Sequence, residues 1–221
     1  MYELIENNPD FLVINKSENV SFNNEDSQEN GLFTQLKKDF PNDTLFAVHR
    51  LDKVTSGILL IAKNVEMAQV LSEKFRLGEI EKYYLAISDK KPKKKQGLIK
   101  GDLERSRRGS WKLLNTYHNP SVTQFFSFSF IKGQRLFLLK PKTGKTHQLR
   151  VMMKSIGTPI LGDQLYSGTD SDRTYLHAYV IQFYLNDKKH FFKVLPNTGI
   201  NYLSQNEKID SIGNPSELNW P

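Results

Sequence analysis

Apolar residues along this chain fall into short runs and alternations more often than into helical stripes. Phe11 to Asn15 (FLVIN) is an apolar run of strand length, and a polar stretch follows it to Asn30. Gly57 to Lys63 (GILLIAK) is a second run, consistent with a central strand buried on both faces. KYYLAIS is a third. In VTQFFSFSF, Val122, Phe126, Phe128 and Phe130 share one face while Thr123, Ser127 and Ser129 share the other, which predicts a half-buried strand. RLFLLK pairs with it across Lys132-Gly133-Gln134, and YLHAYVIQFYL and HFFKV supply the closing strands.

Helical signals are fewer. Gly31 to Phe40 carries Leu32, Phe33 and Leu36 on one face and stops before Pro41. The clearest helix starts at Asn64, a natural N-cap, repeats Val65, Ala68, Leu71 and Phe75, and stops at Gly78. A third is expected from a Thr146 cap to about Ile156, ended by Gly157 and Pro159. Strands outnumber helices without alternating regularly with them, and no linker divides the chain. The expected class is α+β: one domain over 1–221 with a large, mostly antiparallel sheet.

Composition narrows the chemistry. The 221 residues include 14 Phe and 9 Tyr, enough for an aromatic, strand-rich core, and no cysteine, which removes disulfides, thiolate metal sites and a thiol nucleophile. No apolar run approaches the roughly 20 residues needed to span a bilayer. MYELIENNPDF has neither the basic nor the apolar region of a signal peptide. A soluble cytoplasmic protein is therefore expected. The net charge of +7 is concentrated: ten Lys/Arg and two Asp/Glu fall between Lys90 and Lys112. Such a basic segment suits a phosphate backbone, and Trp111 could stack on a base beside the arginines. The plain alternative is a solvated loop.

The stretch KPKTGKTHQLR, Lys140 to Arg150, ends like a nucleotide-phosphate loop. That loop needs a glycine five residues before Gly144, where this chain has Leu139, and Pro141 removes a required amide. No ATP or other nucleotide cofactor is expected. Arg150 lies among Leu149, Val151, Met152 and Met153, so it is either an outward-facing stem or a buried cation that needs a carboxylate. Asp52, in HRLDKVTSG before the GILLIAK strand, is the candidate partner.

VHRLDKVTSGILLIAK resembles the signature of the RluA-type pseudouridine synthases, whose catalytic Asp lies in His-Arg-Leu-Asp-x-x-Thr-Ser-Gly. KYYLA resembles that family's Lys-x-Tyr-x-Ala block, KTGKTHQLRV its Thr-His-Gln-Leu-Arg-Val block, and GTPILGDQLYSG the Gly-Asp-containing block that follows. The likeness runs in order from about Phe11 to Phe192. Met152 stands where the family often has His, a departure that bears on substrate choice.

The resemblance implies a pseudouridine synthase fold with a central active-site cleft, without the N-terminal S4-like domain of some relatives. It implies conversion of a uridine in ribosomal or transfer RNA, with no metal or organic cofactor, by a protein expected to be a monomer. Asp52, Tyr84 and Arg150 take the catalytic positions. Asp52 could attack C1′ or C6, or remove a ribose proton. Arg50 is the candidate for holding a flipped nucleotide. The segment 90–112, with Lys93, Lys94, Lys95, Arg107, Arg108 and Trp111, corresponds to a loop that grips RNA. His49, His147, Asp163 and Tyr166 are expected to hold turns. The rival reading is a catalytically silent RNA-binding protein on the same fold; a DNA-binding module would more often carry a basic helix.

Overall fold

The computed structural model describes residues 1–24 and 31–221; the end of the predicted polar stretch, 25–30, lies outside them. The chain opens with β1 (Tyr2–Asn7) and β2 (Phe11–Lys16), then α1 (Leu32–Asp39), β3 (Phe46–Ala47), β4 (Ser56–Ala62) and α2 (Val65–Leu77). Next come β5 (Glu81–Ser88), β6 (Gln96–Arg105), β7 (Trp111–Leu114), β8 (Ser121–Ser129) and β9 (Arg135–Pro141). After α3 (Gln148–Ser155), β10 (Leu176–Leu185) and β11 (Lys188–Lys193) precede two short helices, α4 (Ile200–Leu203) and α5 (Asn206–Asp210). The strands join in one sheet, ordered β1-β2-β4-β10-β5-β9-β8-β6-β7, with β11 beside β10 and β3 beside β4. Among the described strands only β4 and β10 pair in parallel. The α+β class and the mostly antiparallel sheet are those expected.

The predicted strands form where their apolar runs lie, and β2 and β4 are buried along their whole lengths. The helix α2 is capped as its sequence indicates: the Asn64 side chain accepts from the Met67 amide at 2.7 Å, and Gly78 takes φ 75°. Its buried face is rotated, however. Met67 and Leu71 are buried, whereas Val65 is 48% exposed. β8 departs in the same way. Its buried positions are Ser121, Thr123, Phe125 and Ser127; two of the three hydroxyls find partners inside, Thr123 Oγ1 accepting from Gln148 and Ser127 Oγ from Arg135. The Phe126 and Phe128 face is covered only in part, with Trp220 4.9 Å from Phe126. β1 and the C-terminal helices carry no strong sequence pattern, and they form by packing on the finished sheet.

The parallel contact sets the position of everything before β4. Ser56 and Gly57 sit against His177 and Ala178. Ser56 Oγ accepts from Arg173 Nη2 at 2.7 Å and donates to His177 Nδ1 at 2.8 Å, while His177 Nε2 donates to the Val194 carbonyl. Gly57 has φ 111°, and a Cβ there would lie 2.3 Å from the Ala178 carbonyl oxygen. Only glycine permits this backbone approach. Gly57→Ala is expected to cost on the order of 3 kcal/mol through strain and overlap together, read as a lower urea midpoint. A loss below about 1 kcal/mol would mean the sheet opens to absorb the methyl.

Candidate active site

The loop from Ala47 to Ser56 is tied down at three places. His49 Nε2 accepts from the Leu60 amide at 2.8 Å, and its ring stacks on Phe75 with centroids 4.4 Å apart. Burial, with the nearby Lys82 charge, pushes His49 down to about 3, so it is a neutral structural acceptor. The Thr55 amide donates to the Asp52 carbonyl, closing the turn. Beneath it the fully buried Lys16 ammonium donates to the carbonyls of Ser17, Val20 and Lys53. Burial lowers Lys16 to about 7 despite the attraction of Glu18. These contacts present the Asp52 carboxylate at the mouth of a cleft with 28% of its side chain exposed.

Arg150 approaches from α3. That helix begins at Gln148, with His147 before it at φ 55° and no side-chain cap. Thr146 therefore does not cap it. The shaping contact is made by Gln148, whose Oε1 accepts from Thr143 Oγ1 and the Lys145 amide while its amide group donates to Val122 and Thr123. A glutamine thus holds the turn from inside, which capping preferences do not foresee.

Arg150 is buried and does need a carboxylate, but its main partner is Asp163. Nε and Nη2 donate to the two Asp163 oxygens at 2.7 and 2.8 Å, a bidentate contact. The third arm, Nη1, reaches Asp52 Oδ2 at 3.4 Å. The expected Asp52–Arg150 pair is present, yet it is the weaker half of a triad, because Asp163 is itself 1% exposed and cannot be left unpaired. Asp163 sits in the Gly-Asp block singled out in the sequence, and only its burial beside a guanidinium raises it above a turn residue.

A second chain of hydrogen bonds crosses the site. The Trp111 amide donates to Tyr166 Oη at 3.0 Å, and Tyr166 Oη lies 2.8 Å from His147 Nδ1. In the tautomer whose Nδ1 accepts from the Tyr166 hydroxyl, Nε2 carries the ring hydrogen on the side of Asp52 Oδ2, 4.0 Å away. Burial lowers the His147 pKa against the pull of Asp52, so the ring is neutral. Tyr84 enters from β5 and lines the same cleft as Asp52, Arg50 and Arg150. Burial, and then the Asp52 charge, raise its pKa, so it stays a phenol. Lys82 and Lys145 also line the cleft, where Asp52 is the only carboxylate among the lining residues. Among the described residues, no group of three or more His, Asp or Glu side chains is placed to hold a metal.

The basic segment is a strand and hairpin and not a single loop. β6 pairs with β7 from Asp102↔Leu114 to Arg105↔Trp111, turning through Arg107–Gly109. The exposed Arg107 and Arg108 form the tip, on the side where the Trp111 amide meets Tyr166. Lys93, Lys94 and Lys95 are exposed at the opposite end of β6. A ten-residue strand separates the two groups by about 30 Å. Trp111 is partly buried, fixed by its backbone.

A family model described as RNA pseudouridylate synthase matches residues 10–155. An uncharacterized RNA pseudouridine synthase of Haemophilus influenzae is 52% identical over 188 residues, 84% of each chain. The dual-specificity RNA pseudouridine synthase RluA of Salmonella typhi is 31% identical over 163 residues, 71% of this chain and 74% of that one. Among solved structures, human RNA pseudouridylate synthase domain containing 1 matches with a TM-score of 0.74 and 24% identity, over 97% of this chain and 96% of its own, a likeness of fold.

The two carboxylates around Arg150 should behave differently when neutralised. Asp163→Asn leaves a buried guanidinium short of its main partner and is expected to cost about 3–5 kcal/mol. Asp52→Asn, half-open to solvent, should cost less than about 1 kcal/mol. Urea unfolding of both variants checks this, and equal losses would mean that Arg150 relies on both carboxylates alike.

Proposed function

The chain belongs to the RNA pseudouridylate synthase family, RluA type, and we propose that it isomerises a specific uridine of ribosomal or transfer RNA with Asp52 as its catalytic carboxylate. The observation that carries this reading is the convergence of Asp52, Tyr84 and Arg150, from three distant parts of the chain, on one cleft. A catalytically silent RNA-binding protein has no need of that convergence.

The reaction breaks N1–C1′ and joins C5 to C1′, with no net oxidation or hydrolysis. The carboxylate, whether it attacks C1′ or C6 or takes a ribose proton, must be ionised and free to move against the substrate. The geometry supports both. Arg150 supplies a positive charge at 3.4 Å, while Asp163 takes the strong bidentate contact and leaves Asp52 loosely held. Tyr84, kept protonated, offers an aromatic face to the base and a phenol that stays neutral. A stacked uridine cannot enter a cleft walled by Tyr84, Leu149 and Leu176, so the base leaves its stack, and the exposed Arg50 at the rim holds the displaced nucleotide. The hairpin tip with Arg107 and Arg108 contacts RNA next to the cleft.

Asp52→Asn should lower pseudouridine formation on total RNA from cells lacking the gene by at least about a hundredfold. Turnover within tenfold of wild type would overturn the assignment. For RNA binding, Arg107→Ala with Arg108→Ala should flatten the salt dependence by about two phosphate contacts. Replacing Lys93, Lys94 and Lys95 together should change it less, because they lie far from the cleft. The reverse order would place the RNA path at the other end of β6.

A further inference from the structure

Lys82 is an ammonium without a hydrogen-bond or ion-pair partner among the described residues. It lies on β5 two residues before Tyr84, so the two side chains leave the same face of the strand about 7 Å apart. Both line the cleft. The buried lysines are satisfied: Lys140 donates to Glu81 at 2.6 Å, and Lys16 to three carbonyls, whereas Lys82 is half-buried at the cleft. Among the described residues, Lys82 has neither a carboxylate nor a hydrogen-bond acceptor. Its Nζ sits over the Phe75 ring at 5.4 Å, and a Cβ on Gly144 would lie 3.8 Å from it. The neighbouring His49 is neutral and offers no countercharge.

A half-buried cation with only an aromatic ring beside it gains free energy when an anion joins it. Burial already holds the Lys82 pKa below the usual lysine range. The described residues lining the cleft do not supply the anion: Asp52 faces Arg150 and His147, and Lys145 adds more positive charge. RNA carries its negative charge on phosphates alone. We infer that Lys82 is a phosphate-binding residue, receiving the phosphate next to the uridine whose base lies against Tyr84. This rests on the reading of the cleft as the uridine site. Lys82 thereby selects a nucleotide within a strand over a free nucleoside.

The test compares uridine with uridine 5′- and 3′-monophosphate by calorimetry. Wild type should bind one of the monophosphates at least about tenfold more tightly than uridine, the range of one charge-assisted contact. Lys82→Met should reduce that preference below about threefold with uridine affinity unchanged, and Lys82→Arg should keep most of it. With RNA from cells lacking the gene, Lys82→Met should raise KM and leave kcat within about threefold. No preference in wild type, an undiminished preference in Lys82→Met, or an equal loss for uridine would each overturn the inference, leaving Lys82 as packing over Phe75. Absence of pseudouridine formation by wild type would instead sink the catalytic reading, while the mononucleotide comparison still decides Lys82.

Discussion

The buried guanidinium of Arg150 is the constraint on which the site depends. A charge at that depth persists only with a carboxylate in good geometry, and Asp163 provides one with two short contacts. Everything nearby follows from that pairing. The block carrying Asp163 must pack against α3, Tyr166 then lies under the guanidinium at 5.0 Å, and its hydroxyl reaches both His147 and the hairpin backbone. Because the pairing is complete without Asp52, the catalytic candidate receives positive charge without being immobilised.

The second constraint is the close crossing of β4 and β10. Asp52 belongs to a loop that has few apolar residues of its own, so its position is borrowed from the sheet. Ser56 is clamped by Arg173 and His177, Gly57 is pressed on the Ala178 backbone, and Lys16 ties the Lys53 carbonyl from below. None of these groups lines the cleft. They hold a polar loop as a fixed platform, with the partly exposed Asp52 carboxylate at the cleft mouth.

Much of the architecture was legible in the residues. The apolar runs located β2, β4, β5, β9 and β10, and the Asn64 and Gly78 signals bounded α2. Legibility failed where burial contradicted polarity. In β8, Thr123 and Ser127 lie inward with Gln148 and Arg135 satisfying their hydroxyls, and the Phe126 and Phe128 face is the more open one. In α2, Met67 displaces Val65 from the buried face for reasons of packing alone. β1 lacks an apolar pattern since its side chains are mostly exposed, and only its hydrogen bonds to β2 make it a strand.

For the site the division has a similar cause. Sequence by itself determined the residue types: an Asp in a Thr-Ser-Gly turn, a Tyr in a strand, an Arg in an apolar helix, and a concentration of positive charge. Those are local properties, carried by neighbours in the chain. Tertiary structure alone decided how they are shared out. It gave Arg150 to Asp163 first and Asp52 second, left Lys82 without a partner among the described residues, and spread one basic segment along a strand so that its two ends lie about 30 Å apart. Pairing of charges depends on distance and desolvation between residues far apart in sequence, and neither is set until the sheet closes.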